Sequence, residues 1–176
     1  MQQPQPVFLT EPLAGRALNI AEPLILSMFN SREMGCKRGF VHVVILDALG
    51  NIAAERTIGQ APEGAEFEEQ CARIARSKAQ IHFRTGIPSR MVHERRPHAL
   101  LVGDTHFGGS YDHDGLIAAA SGVQSYFDET IAATVAAITW GLCKDMQERY
   151  LNGDHEDELF YDRQDPMPYS THKSAQ

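Results

Sequence analysis

The stretch Asp104–Asp128, DTHFGGSYDHDGLIAAASGVQSYFD, decides how the rest of the chain is read. It packs a glycine pair (Gly108, Gly109), two histidines (His106, His113) and an Asp114–Gly115 turn into one polar segment. A polar loop between apolar elements is where a rigid scaffold presents a ligand contact. Leu116–Val123 (LIAAASGV) then reads as a strand whose small side chains let another element pack closely. Ser125-Tyr126-Phe127-Asp128 matches the S-x-x-D capping pattern and opens a long helix with Ile131, Val135, Ile138, Leu142 and Met146 on one face. On this reading Asp128 is a capping partner.

Working outward, Phe40–Leu46 (FVHVVIL) is continuous and β-branched, so it reads as a strand buried on both faces. Asp47–Asn51 supplies turn residues before a weaker strand, Ile52–Ile58, which makes a hairpin. His42 points to one sheet face as a core histidine with a local hydrogen bond. Ala65–Arg84 is the clearest helix, with Glu66, Glu68 and Glu69 where the helix dipole favours negative charge. Phe67, Cys71 and Ile74 form its apolar stripe, and Lys78 and His82 project from the same stripe. A lysine so placed must snorkel, pair with a carboxylate or lose its proton.

The first helix is expected from about Ala14, interrupted or begun at Pro23, and ending near Gly35. Thr85–Arg96 reads as a polar connection and His98–Gly103 as a third strand. The expected organisation is an extended arm over residues 1–14, one domain over 15–150 and a polar tail over 151–176, in which Phe160, Tyr161 and Tyr169 provide apolar surface for strapping.

Composition narrows the function classes. At 176 residues and 43% hydrophobic content the chain can bury a core without disulfides or metals as staples. A formal charge of −7 argues against a nucleic-acid footprint or a polybasic membrane patch. Cys36, Cys71 and Cys143 are widely spaced and form no C-x-x-C, so a reducing compartment is expected. The opening residues lack a basic region followed by an apolar one, and no apolar run reaches spanning length. A cytoplasmic protein with a small-molecule or protein partner is the expectation.

Standard motifs are absent. No G-x-x-x-x-G-K-[ST] occurs, Gly108–Gly109 does not extend to G-x-G-x-x-G, and Ala119 breaks a nucleophile elbow at Ser121. Asp112 and Asp114 lack the length of a calcium loop. Histidine density remains: His93, His98, His106 and His113 fall near Asp104, Asp112 and Asp114, donor types that suit zinc, iron or copper. His106 and His113 are the candidate metal ligands.

An ordered set of short signatures resembles the bacterial GlcG/HbpS-like family, which includes the C-terminal domain of PduO. The signatures are Val44-Ile45-Leu46-Asp47-Ala48-Leu49-Gly50, Lys78-Ala79, Gly108-Gly109, Asp114-Gly115, Ser121-Gly122 and Asp128, spread over residues 17 to 145. The resemblance implies an α/β (α+β) unit of profilin-like type, an antiparallel sheet with packed helices. It also implies a homo-oligomer, an association with small-molecule catabolism, and haem as ligand. The first helix has no histidine, which leaves His106 or His113 as the axial donor.

The leading expectation is therefore a small-ligand-binding protein, with Lys78, His82, His106, Gly108, Gly109, His113 and Asp114 around the ligand. The alternative is a lyase or isomerase acting on a small organic acid, with zinc or iron as a possible cofactor. There Lys78, Arg90 or Arg95 holds the carboxylate and Lys78, His106 or His113 is catalytic, imidazole being poised near neutral pH. A structural oligomer subunit is the third reading.

Overall fold

The computed structural model describes residues 6–62 and 64–153. Four helices, α1 (Glu11–Asn30), α2 (Ala65–Thr85), α3 (Ser89–Arg95) and α4 (Ser125–Leu151), accompany strands β1 (Phe40–Leu46), β2 (Ile52–Gly59), β3 (Ser110–His113) and β4 (Leu116–Ser121). The strands form one antiparallel sheet in the order β2-β1-β4-β3. The fold is α+β, as the sequence led one to expect.

The sheet is assembled from two hairpins. In the first, Asp47 Oδ1 accepts hydrogen bonds from the backbone N–H groups of Leu49 and Asn51, both at 2.8 Å. The carboxylate thereby ties the β1–β2 turn. In the second, Asp114 (φ 49°) and Gly115 (φ 84°) take the two left-handed positions of a tight turn whose twist matches the strands it joins. The hairpins meet where His42–Ile45 of β1 pairs with Ala118–Ser121 of β4.

Every residue of β1 is buried, because helices cover the sheet on both sides. Alternation sends Val41, Val43 and Ile45 into a core shared with Leu18 and Ile25 of α1 and Ile131 and Val135 of α4. Val44 and Leu46 face the other way and pack with Ala75 and Ala79 of α2. The alanines of β4 alternate between these two cores, so the small-residue strand is what allows helices so close on either side. His42 is 6% exposed and its Nδ1 lies 3.0 Å from Thr57 Oγ1, as expected of a core histidine with a local partner.

Several boundaries differ from expectation. Helix α1 begins at Glu11, because Thr10 supplies an N-cap oxygen to Leu13 N–H at 3.4 Å, and it runs through Pro23 to end at Asn30. The segment His98–Gly103 is not a strand. Pro97–Ala99 forms a 3-10 turn, and Asp104 folds the following residues back by accepting from Leu101 N–H and Arg84. The apolar run there exposes Leu101 and Val102 instead of pairing them. Helix α3 lies within what reads as a polar connection, and β3 lies within the polar loop, where Ser110–His113 pairs with Leu116–Ala119. Met1 to Gln5 of the expected arm and residues 154–176 of the expected tail, with Phe160, Tyr161 and Tyr169, lie outside the described residues. Among the described residues no helix is long and apolar enough to cross a membrane.

Leu18 is 1% exposed at the centre of the α1–α4 core. Leu18→Ala is expected to lower unfolding stability by about 2–5 kcal/mol, read from urea denaturation, since the vacated volume closes only in part.

Candidate functional site

The site grows from one residue that the helix pattern places on the wrong kind of surface. Lys78 continues the Phe67, Cys71 and Ile74 stripe of α2 and is fully buried. It pairs with a carboxylate. Its Nζ donates to Asp128 Oδ2 at 2.9 Å and to the Ala120 carbonyl at 2.7 Å, so α2, β4 and α4 converge on one ammonium. Asp128 is itself 2% exposed, and its other oxygen accepts from Val123 N–H at 3.2 Å. The N-cap is Gln124 and not Ser125, and Asp128 both reaches back to a backbone N–H ahead of α4 and serves the buried pair.

Burial dominates the electrostatics of the pair. It lowers the proton affinity of Lys78 and raises that of Asp128, against a mutual attraction and hydrogen bond that act in the opposite sense on both. Gly109 explains why a glycine pair is needed. At φ 133°, a Cβ on it would lie 2.7 Å from Asp128 Cβ, 2.8 Å from Lys78 Nζ and 2.9 Å from the Ala120 oxygen. Only a residue without a side chain lets the loop close over the pair.

Above the pair opens a pocket of about 370 Å³. Lys78, Asp128, Cys71 and Ser121 line its polar side, Phe67, Ile74 and Phe107 its apolar walls, and Lys37 and Arg38 contribute cations. Arg38 lies over the Phe67 ring at 5.0 Å. Burial, with the Asp128 charge second, pushes the Cys71 thiol up, so it is a neutral wall group. The entry of α4 at Val123–Ser125 completes the rim.

The other expected site residues are dispersed. His106 is exposed with its ring 3.9 Å from that of Phe107, which puts it beside the pocket and outside its lining. His113 lies against Trp140 of α4, with ring centroids 4.9 Å apart. His82 is buried on α2, with Nε2 3.2 Å from Asp112 Oδ1 and with no hydrogen-bond partner for Nδ1 among the described residues. Gly108 packs on Arg90, whose guanidinium is bound to Glu129 and Glu94, and Asp114 is exposed in the β3–β4 turn. Arg95 is exposed near the end of α3. Among the described residues no group of three or more His, Cys, Asp or Glu side chains is placed to hold a metal. The pocket therefore unites Lys78 with Asp128, Phe107, Lys37 and Arg38. Asp128 was legible as a second charge on an apolar helical stripe; Lys37 and Arg38, just before β1, carry no sequence signal.

No family model and no curated protein matches this chain. Among solved structures, the chain is similar to the PduOC:heme complex at 21% identity and a TM-score of 0.48, over 70% of this chain and 91% of that one.

Two measurements test this geometry. Asp128→Ala is expected to cost about 3–5 kcal/mol because it strands a buried ammonium, while Lys78→Met with Asp128→Leu recovers most of that loss. In the second, His42 and His82 both have proton affinities lowered first by burial, relative to an ordinary value of 6.5. The unfolded chain binds those protons more readily, so the stability they carry is complete above pH 6.5 and lost as pH falls through the folded-state values. The urea midpoint is expected to fall between about pH 7.5 and about pH 5, and less steeply in His82→Leu.

Proposed function

We propose that this protein binds a small organic acid in the pocket above Lys78 and Asp128. One observation carries the reading: a pocket of about 370 Å³ joins a cationic lip, two phenylalanine walls and a buried polar floor. Such a pocket sits at the small end of the range for ligand sites. Its volume matches that of about 12 water molecules at roughly 30 Å³ each. Lys37 and Arg38 meet the carboxylate, Phe67 and Phe107 enclose the apolar body, and Ser121 and the Lys78–Asp128 pair receive a polar head.

Haem is the second reading, implied by the family resemblance of the sequence. His106 favours it, as an exposed imidazole whose ring lies against a pocket-lining phenylalanine at a tilt of 39°. The pocket interior does not fit haem. No His, Met or Tyr is among its lining side chains, its thiol is held neutral, and its volume falls well short of a tetrapyrrole's roughly 40 non-hydrogen atoms. Were haem to bind this chain, His106 would be the residue to hold its iron and Lys37 and Arg38 those to meet its propionates.

Calorimetric titration with pyruvate and phenylpyruvate tests the leading reading. Saturable binding is expected at one equivalent, weakened about tenfold by Lys37→Glu with Arg38→Glu and by added salt, in line with two partly screened ion pairs. Binding indifferent to both changes would remove the carboxylate reading. A haemin absorption band that His106→Ala abolishes would transfer the site to haem.

A further inference from the structure

We propose that Lys78 is an imine-forming lysine, condensing with the carbonyl of a small 2-oxo acid while Asp128 moves the protons. The proposal rests on the pocket reading above and adds a reaction to it. The geometry supplies the parts. Lys78 is among the residues that line the pocket, its buried nitrogen has an acid group 2.9 Å away, and the Ala120 carbonyl fixes that nitrogen from a second side at 2.7 Å. Gly109 brings its backbone close over Lys78 and Asp128 and shields them from water on that side. Lys37 and Arg38 line the same pocket as Lys78 and supply cations for the carboxylate of a 2-oxo acid.

The chemistry closes without an outside reagent. The Lys78 lone pair forms an N–C bond to the carbonyl carbon as the C–O π pair takes the Asp128 proton. The resulting carbinolamine returns a proton from nitrogen to the Asp128 carboxylate. Asp128 then protonates the hydroxyl, the C–O bond breaks and water leaves, giving the protonated imine paired with the Asp128 carboxylate. Nothing is oxidised or reduced, and the only product besides the imine is water. Burial favours the neutral amine and the neutral acid, the forms from which this sequence starts.

Most buried lysine–carboxylate pairs serve packing, so the test must see the covalent bond. The full chain is incubated with pyruvate and sodium cyanoborohydride, and the labelled lysine is located by peptide mass. A carboxyethyl group on Lys78 is expected, saturable in pyruvate. It should exceed labelling of Lys37 and Lys144, for which the described residues provide no carboxylic acid paired with the amine inside the pocket. Lactate, which has no carbonyl, should give none. Asp128→Asn keeps the shape and a hydrogen-bond acceptor and is expected to slow labelling; an unchanged rate would remove Asp128 from the reaction. Label confined to surface lysines while pyruvate still binds by calorimetry would overturn the imine and leave the binding site standing. No binding of any carboxylate would overturn both.

Discussion

A lysine and an aspartate that meet at 2.9 Å, each all but sealed from water, set the terms for the surrounding structure. Taking either charge alone into the interior is unfavourable by several kcal/mol, so each requires the other and every nearby dipole that can help. The Ala120 carbonyl serves the ammonium, and the Val123 N–H serves the carboxylate. Those two backbone groups flank the end of β4 and the start of α4. The strand must therefore stop, and the helix begin, where the pair can be solvated by protein. The positive φ of Gly109 and its missing side chain follow from the same requirement.

The pair also locates the pocket. Helices α2 and α4 pack against opposite faces of the sheet, and the bond between them forms near the end of β4, beside the Ala120 carbonyl and just before β3 begins. Elements brought together near a strand end leave a gap, and the half-buried Phe67 and Ile74 and the exposed Phe107 line it. The organic-acid reading and the imine chemistry both take this gap as given. They differ in whether Lys78 acts as a fixed charge or, as the free amine, as a nucleophile.

Much of this was legible from residue spacing. Apolar continuity marked β1 as buried on both faces, Asp47–Asn51 marked its turn, and the run of alanines marked β4 as a close-packing strand. Lys78 stood out because it continued an apolar stripe. Asp128 carried the mirror-image signal three residues before Ile131, yet its place at a helix start suggested a cap and hid its partner. The histidines drew attention to the loop, but imidazole-rich segments say nothing of where side chains converge, and His106, His113 and His82 ended in three different surroundings. HALLVG had the composition of a strand and lacked a neighbour to pair with, because Asp104 turns the chain back first. Lys37 and Arg38 enter the site through the fold alone, brought there by contacts 87 and 89 residues long in sequence between the 35–37 turn and Gln124.

The strand order β2-β1-β4-β3 also shapes how the chain can acquire its structure. Each hairpin joins sequence neighbours and closes a short loop, whereas the β1–β4 seam joins residues more than seventy positions apart, as in His42 with Ser121. Loop-closure entropy makes that seam the slow contact, to be made after the two hairpins exist. During synthesis from the N-terminus, α2 emerges fifty residues before the aspartate its lysine needs. Lys78 therefore stays hydrated and α2 undocked until the start of α4 arrives, which makes one residue pair the latch that joins the early and late halves of the molecule.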